Sequence, residues 1–367
     1  MGMVYNVIDA DGHVCEPLDL WELYIDPKFR SRAPRVMRDT DGRERFSVDG
    51  KMVGSPDGSV RAGAIGKTRE EIKKMIYTDG RRGGFDPHER IKDLDLEGID
   101  AAVLYPSMGL FSGVIEDPDF SAAVCRAYNR WIVDYCQPYP ERLIPAAMLP
   151  MQSPDAAVAE MRFARNTLGV RTGFLRPNPY NGRLLSDRAY EPVWQEAAAL
   201  DMAIGFHEGT GGMQSVGVDR SFDYASKHIM SHTMEMMAAA LNIIWGGVCE
   251  RHPTVRFAFL ECGGGWMAPW LDRMDRHFDS KSETPSANTL TMRPSDYFRR
   301  QCWISFEPVE NTIESSARQL GENKLLWATD YPHYDGFLGA PQMIKGKLPA
   351  ALHRPVLAQG AIDFYKL

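Results

Sequence analysis

The chain has 367 residues, 44% of them hydrophobic and 25% charged, and a net charge of −7. That composition belongs to an ordinary globular protein, long enough for one large α/β barrel or two smaller domains. It offers no basic stripe for nucleic acid and no run of about 18 apolar residues to span a membrane.

The opening MGMVYNVIDADGH lacks the charge and apolar length of a secretory leader, and Asn6 breaks the myristoylation pattern. Short apolar runs then recur: VIDADGH (7–13), AAVLYPS (101–107), LIPAAMLPM (143–151), RTGFLRPN (171–178), MAIGFHEG (202–209), RFAFLECGG (256–264), CWISFEP (302–308) and LLWATDYPH (325–333). Each has buried-strand length and closes in polar, Gly or Pro residues. Helical stretches lie between them at 117–137, 154–168, 187–200, 226–245, 266–278 and 310–320, with helix starts at Ser153-Pro154-Asp155 and Ser186-Asp187. The alternation predicts a (β/α)8 barrel, one domain over residues 1–367, with a doubly wound open sheet as the alternative. The barrel is preferred because polar residues gather at the C-terminal end of strand after strand, where barrels keep their active sites. Residues 14–85 break the alternation before the helix expected in DPHERIKDLDLEGI (86–99). So long a segment reads as an insertion folded over the barrel mouth, with a hairpin near RFSVDGKMVGS.

The six cysteines, Cys15, Cys125, Cys136, Cys249, Cys262 and Cys302, form no C-x-x-C pair and no disulfide framework. Reduced thiols and a cytoplasmic location are expected. Metal-type side chains, by contrast, cluster at strand ends. Strand one supplies Asp11, His13 and, just beyond, Glu16; strand five His207; strand six Glu261; strand eight Asp330 and His333. Alternate residues of a strand share a face, so Asp11 and His13 point together into the barrel. Glu208 and Glu307 are expected to orient other groups rather than bind. His88, His252, His277 and His353 fall on helices or their edges. GTGGMQS lacks the Lys-Ser/Thr of a phosphate loop, and ECGGGW lacks a dinucleotide fingerprint.

D-x-H on strand one, the strand-five His, GGVCERHPTVRFAFLECGGGW and WATDYP resemble the amidohydrolase-related family, which includes aminocarboxymuconate-semialdehyde decarboxylase and the resorcylate-type decarboxylases. The resemblance runs from Asp9 to the C-terminal AIDFYKL. It implies a metal-binding barrel with Asp11, His13, His207 and Asp330 as primary ligands. Those decarboxylases carry an acid–base His at the end of strand six, where this chain has Glu261. Glu261 and His333 are therefore the candidate catalytic groups. His228 and His232, four apart, share a helix face, and His232 better fits the family's His in this segment.

His13, His207, His232 and His333, with Asp11, Glu16, Glu261 and Asp330, exceed what one ion needs. An unpaired surplus in a semi-buried mouth is costly. The enlarged set suits two metals bridged by a carboxylate and resembles the non-haem di-iron oxygenases of this fold. The preferred expectation is a di-iron monooxygenase that hydroxylates a bulky apolar small molecule, using dioxygen and an electron donor, with a homo-oligomer also open. The alternative is a hydrolase or non-oxidative decarboxylase with one zinc or manganese ion, in which Asp330 or His333 moves the proton. A non-catalytic metal-dependent binding protein is the third reading. Plainer roles stay open: Asp11 orienting His13, Glu16 as a cap, Glu261 as a salt-bridged carboxylate, His232 as a packed helix residue. Trp21, Met108, Phe111, Met213 and Trp303 are expected to line the pocket. Arg176 either holds a substrate carboxylate or pairs with an internal acid.

Overall fold

The computed structural model describes residues 3–53, 62–210, 213–280 and 290–367. β1 (Ile8–His13) opens the chain. The insertion carries β2 (Arg35–Arg38), β3 (Glu44–Val48) and β4 (Lys51–Val53). β5 (Ala101–Tyr105), β6 (Leu143–Met148), β7 (Thr172–Leu175), β8 (Ala203–Phe206), β9 (Phe257–Phe259), β10 (Cys302–Phe306) and β11 (Leu325–Trp327) then alternate with helices. The runs of Ala, Val, Ile, Leu and Phe that predict strands are buried on both faces, as parallel strands under a layer of helices must be. Their hydrogen-bonded order is β1-β5-β6-β7-β8-β9-β10-β11.

The sheet curls until β11 meets β1, and side chains bridge that seam. Thr329 donates its N–H and hydroxyl to the Asp9 carboxylate at 3.0 and 2.5 Å. The His13 N–H donates to the Tyr331 carbonyl at 2.6 Å. Arg90, from the helix Pro87–Glu97, donates to the His13 carbonyl at 2.8 Å and lies 4.0 Å over the Tyr331 ring. The architecture is thus a nearly closed eight-stranded barrel rather than the open sheet.

Helix starts follow the local signals. Ser153 caps Pro154–Asn166 by accepting from the Ala156 N–H, and Asp117 caps Pro118–Cys136. Asp86 caps Pro87–Glu97, which ends at Gly98 in the left-handed conformation a helix stop favours. The insertion holds more than the expected hairpin: β2, β3 and β4 make a three-stranded antiparallel sheet. Gly54 and Ser55 of that expectation lie outside the described residues. The segment is tied back to the barrel by Cys15 N–H to Gly84 O at 2.8 Å, Ile65 N–H to Pro332 O at 3.0 Å and Tyr77 hydroxyl to Glu16 O at 3.0 Å.

One expected pocket residue lies elsewhere. Trp303 begins β10, at the end of the barrel opposite the ligands, where its indole N–H bonds Asn323 O at 2.8 Å. Trp21 belongs to the short helix Leu20–Tyr24, which packs on Pro118–Cys136. The six cysteines are buried and unpaired. Among the described residues no helix is long and apolar enough to cross a membrane.

Candidate metal centre

Asp11 and His13 end β1 on one face, and His207 follows β8 across the barrel. The His13 Nδ1–H donates to Pro106 O at 2.8 Å, and the His207 Nδ1–H to Glu208 O at 2.7 Å. A carbonyl only accepts, so each ring keeps its Nε2 lone pair facing inward. Those Nε2 atoms lie 3.7 and 3.5 Å from Asp11 Oδ1. Asp11 Oδ1 and Oδ2, His13 Nε2 and His207 Nε2 are all buried without a hydrogen-bond partner. Buried acceptors facing one another are costly unless a cation sits among them. The protonation equilibria carry the same strain. Burial, aided by the Glu261 and Asp9 carboxylates, pushes Asp11 up to about 8. Burial, and then the neighbouring His333 and His207, hold His13 well below the usual imidazole range. At His207 burial acts downward, yet the Asp11 and Glu261 carboxylates outweigh it and bring the group up to about 9. Two imidazoles and carboxylates fit zinc, manganese or iron.

Asp330 completes this group from the end of β11, with Oδ1 3.3 Å from His13 Nε2. His333 stacks on His13 with ring centroids 4.1 Å apart. Both its nitrogens are engaged: Nδ1 is 2.8 Å from Asp330 Oδ1, and Nε2 is 2.8 Å from the Ser107 hydroxyl. Asp330 and Glu261 adopt positive φ, 52° and 43°. For non-glycine residues that costs roughly 1–2 kcal/mol each, and strain of this kind collects at functional sites.

Glu261 stands between two sets of histidines. Its Oε2 is 2.9 Å from His207 Nε2, off the line of a hydrogen bond. Its Oε1 is 3.6 Å from His232 Nε2 and 3.9 Å from His228 Nε2. His228 and His232 stack on one face of the helix Tyr224–Ala240 with centroids 4.0 Å apart. The ligand atoms of His228, His232 and Glu261 lie within 4.8 Å of one another. His228 therefore joins His232, whereas His333 sits with His13, Glu261 and Asp330. Although burial would raise Glu261, the surrounding imidazoles of His232, His207 and His228 hold it well below the usual carboxylate range.

Two further expectations are overturned. Glu16 is not a ligand. Its carboxylate accepts the backbone N–H groups of Ser107, Met108 and Gly109 at 3.1, 2.9 and 2.8 Å. Arg176 is not free to hold substrate. It is fully buried, donating to Glu208 Oε2 at 2.5 Å, Leu110 O at 2.7 Å, Gly209 O at 2.9 Å and Asn178 Oδ1 at 3.0 Å. Glu208 is thus the internal acid. His88, His252 and His353 bond to Tyr139, Glu191 and backbone carbonyls, away from the centre. Sequence reasoning passed over Ser107, although it ends the second barrel run. It chose between His228 and His232 although their spacing already placed both on one face.

The amidohydrolase family profile matches residues 8–367. The chain is 26% identical over 303 residues to 2-amino-3-carboxymuconate-6-semialdehyde decarboxylase from Dictyostelium discoideum, covering 82% of each chain. The fold is shared with an amidohydrolase from Mycobacterium avium subsp. paratuberculosis K-10, at a TM-score of 0.81 and 22% identity over 99% of this chain and 100% of that one. It is also shared with 5-carboxyvanillate decarboxylase from Novosphingobium aromaticivorans, complexed with manganese, at a TM-score of 0.69 and 18% identity over 99% and 96%. The profile takes in every strand of the barrel and every residue of the centre, and the chain belongs to the amidohydrolase family of barrel enzymes.

Proposed function

We propose that this enzyme is a metal-dependent, non-oxidative decarboxylase of a small carboxylic acid, acting in a reducing compartment. The reading rests on the four buried acceptor atoms of Asp11, His13 and His207 that have no donor. The Dictyostelium relative and the manganese-bound Novosphingobium structure, both named as decarboxylases, support it. Asp11, His13, His207 and Asp330 would hold one zinc or manganese ion, which when bound supplies a Lewis acid for the substrate's oxygens. Arg176, spent on Glu208, is not free to take the carboxylate. Loss of CO2 breaks a C–C bond and leaves the electron pair on carbon, so the substrate must itself delocalise that pair, and the carbon must then take a proton. Glu261, held ionised by three imidazoles, is a poor proton source. His333 is the better candidate, with Nδ1 2.8 Å from Asp330 Oδ1 and Nε2 2.8 Å from the Ser107 hydroxyl.

A second reading has one observation in its favour: Glu261 turns one oxygen to His207 and the other to His228 and His232. A second ion there would make Glu261 a bridge and suit the di-iron monooxygenase, with dioxygen and an electron donor as co-substrates. Metal analysis with anaerobic turnover separates the two. The decarboxylase should carry one zinc or manganese per chain, keep it in His228→Ala, and release CO2 without dioxygen from hydroxybenzoates or unsaturated amino acids. Two irons per chain, one lost in His228→Ala, with turnover that stops without dioxygen, would sink the decarboxylase.

A further inference from the structure

Asp9 precedes Asp11 in β1, is fully buried, and reaches the seam where β1 meets β11. Between Asp9 and Gly12 the paired strands fall out of step: β1 advances three residues while β5 advances two, from Ala102 to Leu104. Such a bulge re-aims the side chains beyond it and leaves one residue without a ladder partner. The Asp11 N–H donates to Asp9 Oδ1 at 3.3 Å. The same oxygen accepts the Thr329 N–H at 3.0 Å, and Oδ2 accepts the Thr329 hydroxyl at 2.5 Å. The Thr329 hydroxyl oxygen in turn accepts the Tyr331 N–H at 3.0 Å. The residues on either side of Asp330 are thus both tied to Asp9, and Asp330 between them holds a φ of 52°. A strained backbone of this kind persists only where its surroundings over-determine it. Gly12 keeps the space that the arrangement needs: a Cβ there would lie 2.5 Å from Arg90 Nη2 and 2.9 Å from Asp9 Oδ2.

We propose that Asp9 is a positioning residue for the metal centre. One side chain grips the bulge that carries Asp11 and, through Thr329, the turn that carries Asp330. It thereby sets how two ligands from opposite sides of the seam stand to each other. Both reach His13 Nε2, Asp11 Oδ1 from 3.7 Å and Asp330 Oδ1 from 3.3 Å. Loosening the grip should let Asp330 relax toward an ordinary φ and leave the ligand set. Metal affinity then falls although every ligand side chain is still present. The inference rests on the metal centre and is indifferent to the reaction performed there.

Cobalt(II) titrated into the metal-free protein and followed by its visible absorption reports affinity and coordination together. Thr329→Val keeps the shape of the side chain and removes the hydroxyl. Asp9→Asn keeps the shape and replaces one acceptor oxygen by a donor. Each should raise the cobalt Kd about 10- to 100-fold and shift the absorption bands. Thr329→Ser retains the hydroxyl and should keep both at wild-type values. Glu160→Gln alters a different buried carboxylate, one that accepts from Asn129 and Arg126 outside the centre. It should leave Kd and bands unchanged even where the melting temperature falls. Wild-type affinity and bands in Thr329→Val overturn the inference, as does an equal loss of affinity in Glu160→Gln. If Asp9→Asn does not fold, the nearly isosteric Thr329→Val decides. Wild-type protein that takes up no cobalt removes the centre itself, whereas bound cobalt indifferent to Thr329→Val removes only the role of Asp9.

Discussion

Glu16 and His207 are both buried polar side chains of this region, yet they do opposite work. The carboxylate of Glu16 has all it needs within the protein, since three consecutive backbone N–H groups converge on it. His207 Nε2 has no hydrogen-bond partner. Removing each should therefore fail differently. Glu16→Ala strands three buried donors and should lower folding stability by about 2–4 kcal/mol while the metal content per folded chain stays at the wild-type value. His207→Ala should abolish metal binding and turnover, an effect on the centre beyond the loss of a buried, packed ring. Denaturant titration and metal analysis of both variants check this; a fully metallated, active His207→Ala protein would remove the centre from consideration. The contrast also shows why one site residue was misread. Asp11 and His13 are legible because strand alternation is local, whereas the partners of Glu16 lie 91 to 93 residues away in sequence. A carboxylate three residues beyond His13 looks like a ligand until the chain folds.

At the scale of elements, the eight barrel strands were readable because each is short, apolar and closed by polar or turn residues, and each pairs in parallel with its successor. The small sheet in the insertion was only half readable. β2 is largely exposed and reads Arg-Val-Met-Arg, with no buried face to set a period, and it gains its structure by pairing with β3. The insertion meets the barrel through Pro332, two residues past Asp330, and through the Phe46–Phe111 ring contact at 6.2 Å. Those attachments place it against the catalytic end, and we expect it to act as a cover for the pocket. Arg35, Arg38, Arg43 and Lys51 are exposed there and offer trypsin a choice of sites. Cleavage within 14–85 should slow when a substrate found in the CO2 screen, or its product, is bound. Equal cutting rates with and without it would count against a cover.

For the molecule as a whole, metal and protons compete for one set of atoms, and the sign of that competition is fixed by the site. In the metal-free protein Asp11 stays protonated up to about 8 and His207 up to about 9. Both groups are raised, so their protons favour the folded, metal-free state at lower pH, and that contribution fades as pH climbs through those values. A metal ion must displace the same protons, so binding releases them and tightens as pH rises through those values. Because the ion binds the folded chain and not the unfolded one, its affinity appears as stability: at a hundredfold excess over Kd the gain is about 2.7 kcal/mol. Thermal melts with and without zinc, at fixed free metal, should therefore show a small rise in Tm near pH 6.5 and a larger one near pH 8.5. The His207→Ala protein should show no such rise at any of these values. A zinc-induced shift that is constant across this range would mean that the ion binds away from Asp11 and His207, and the four orphaned acceptors would then need another explanation.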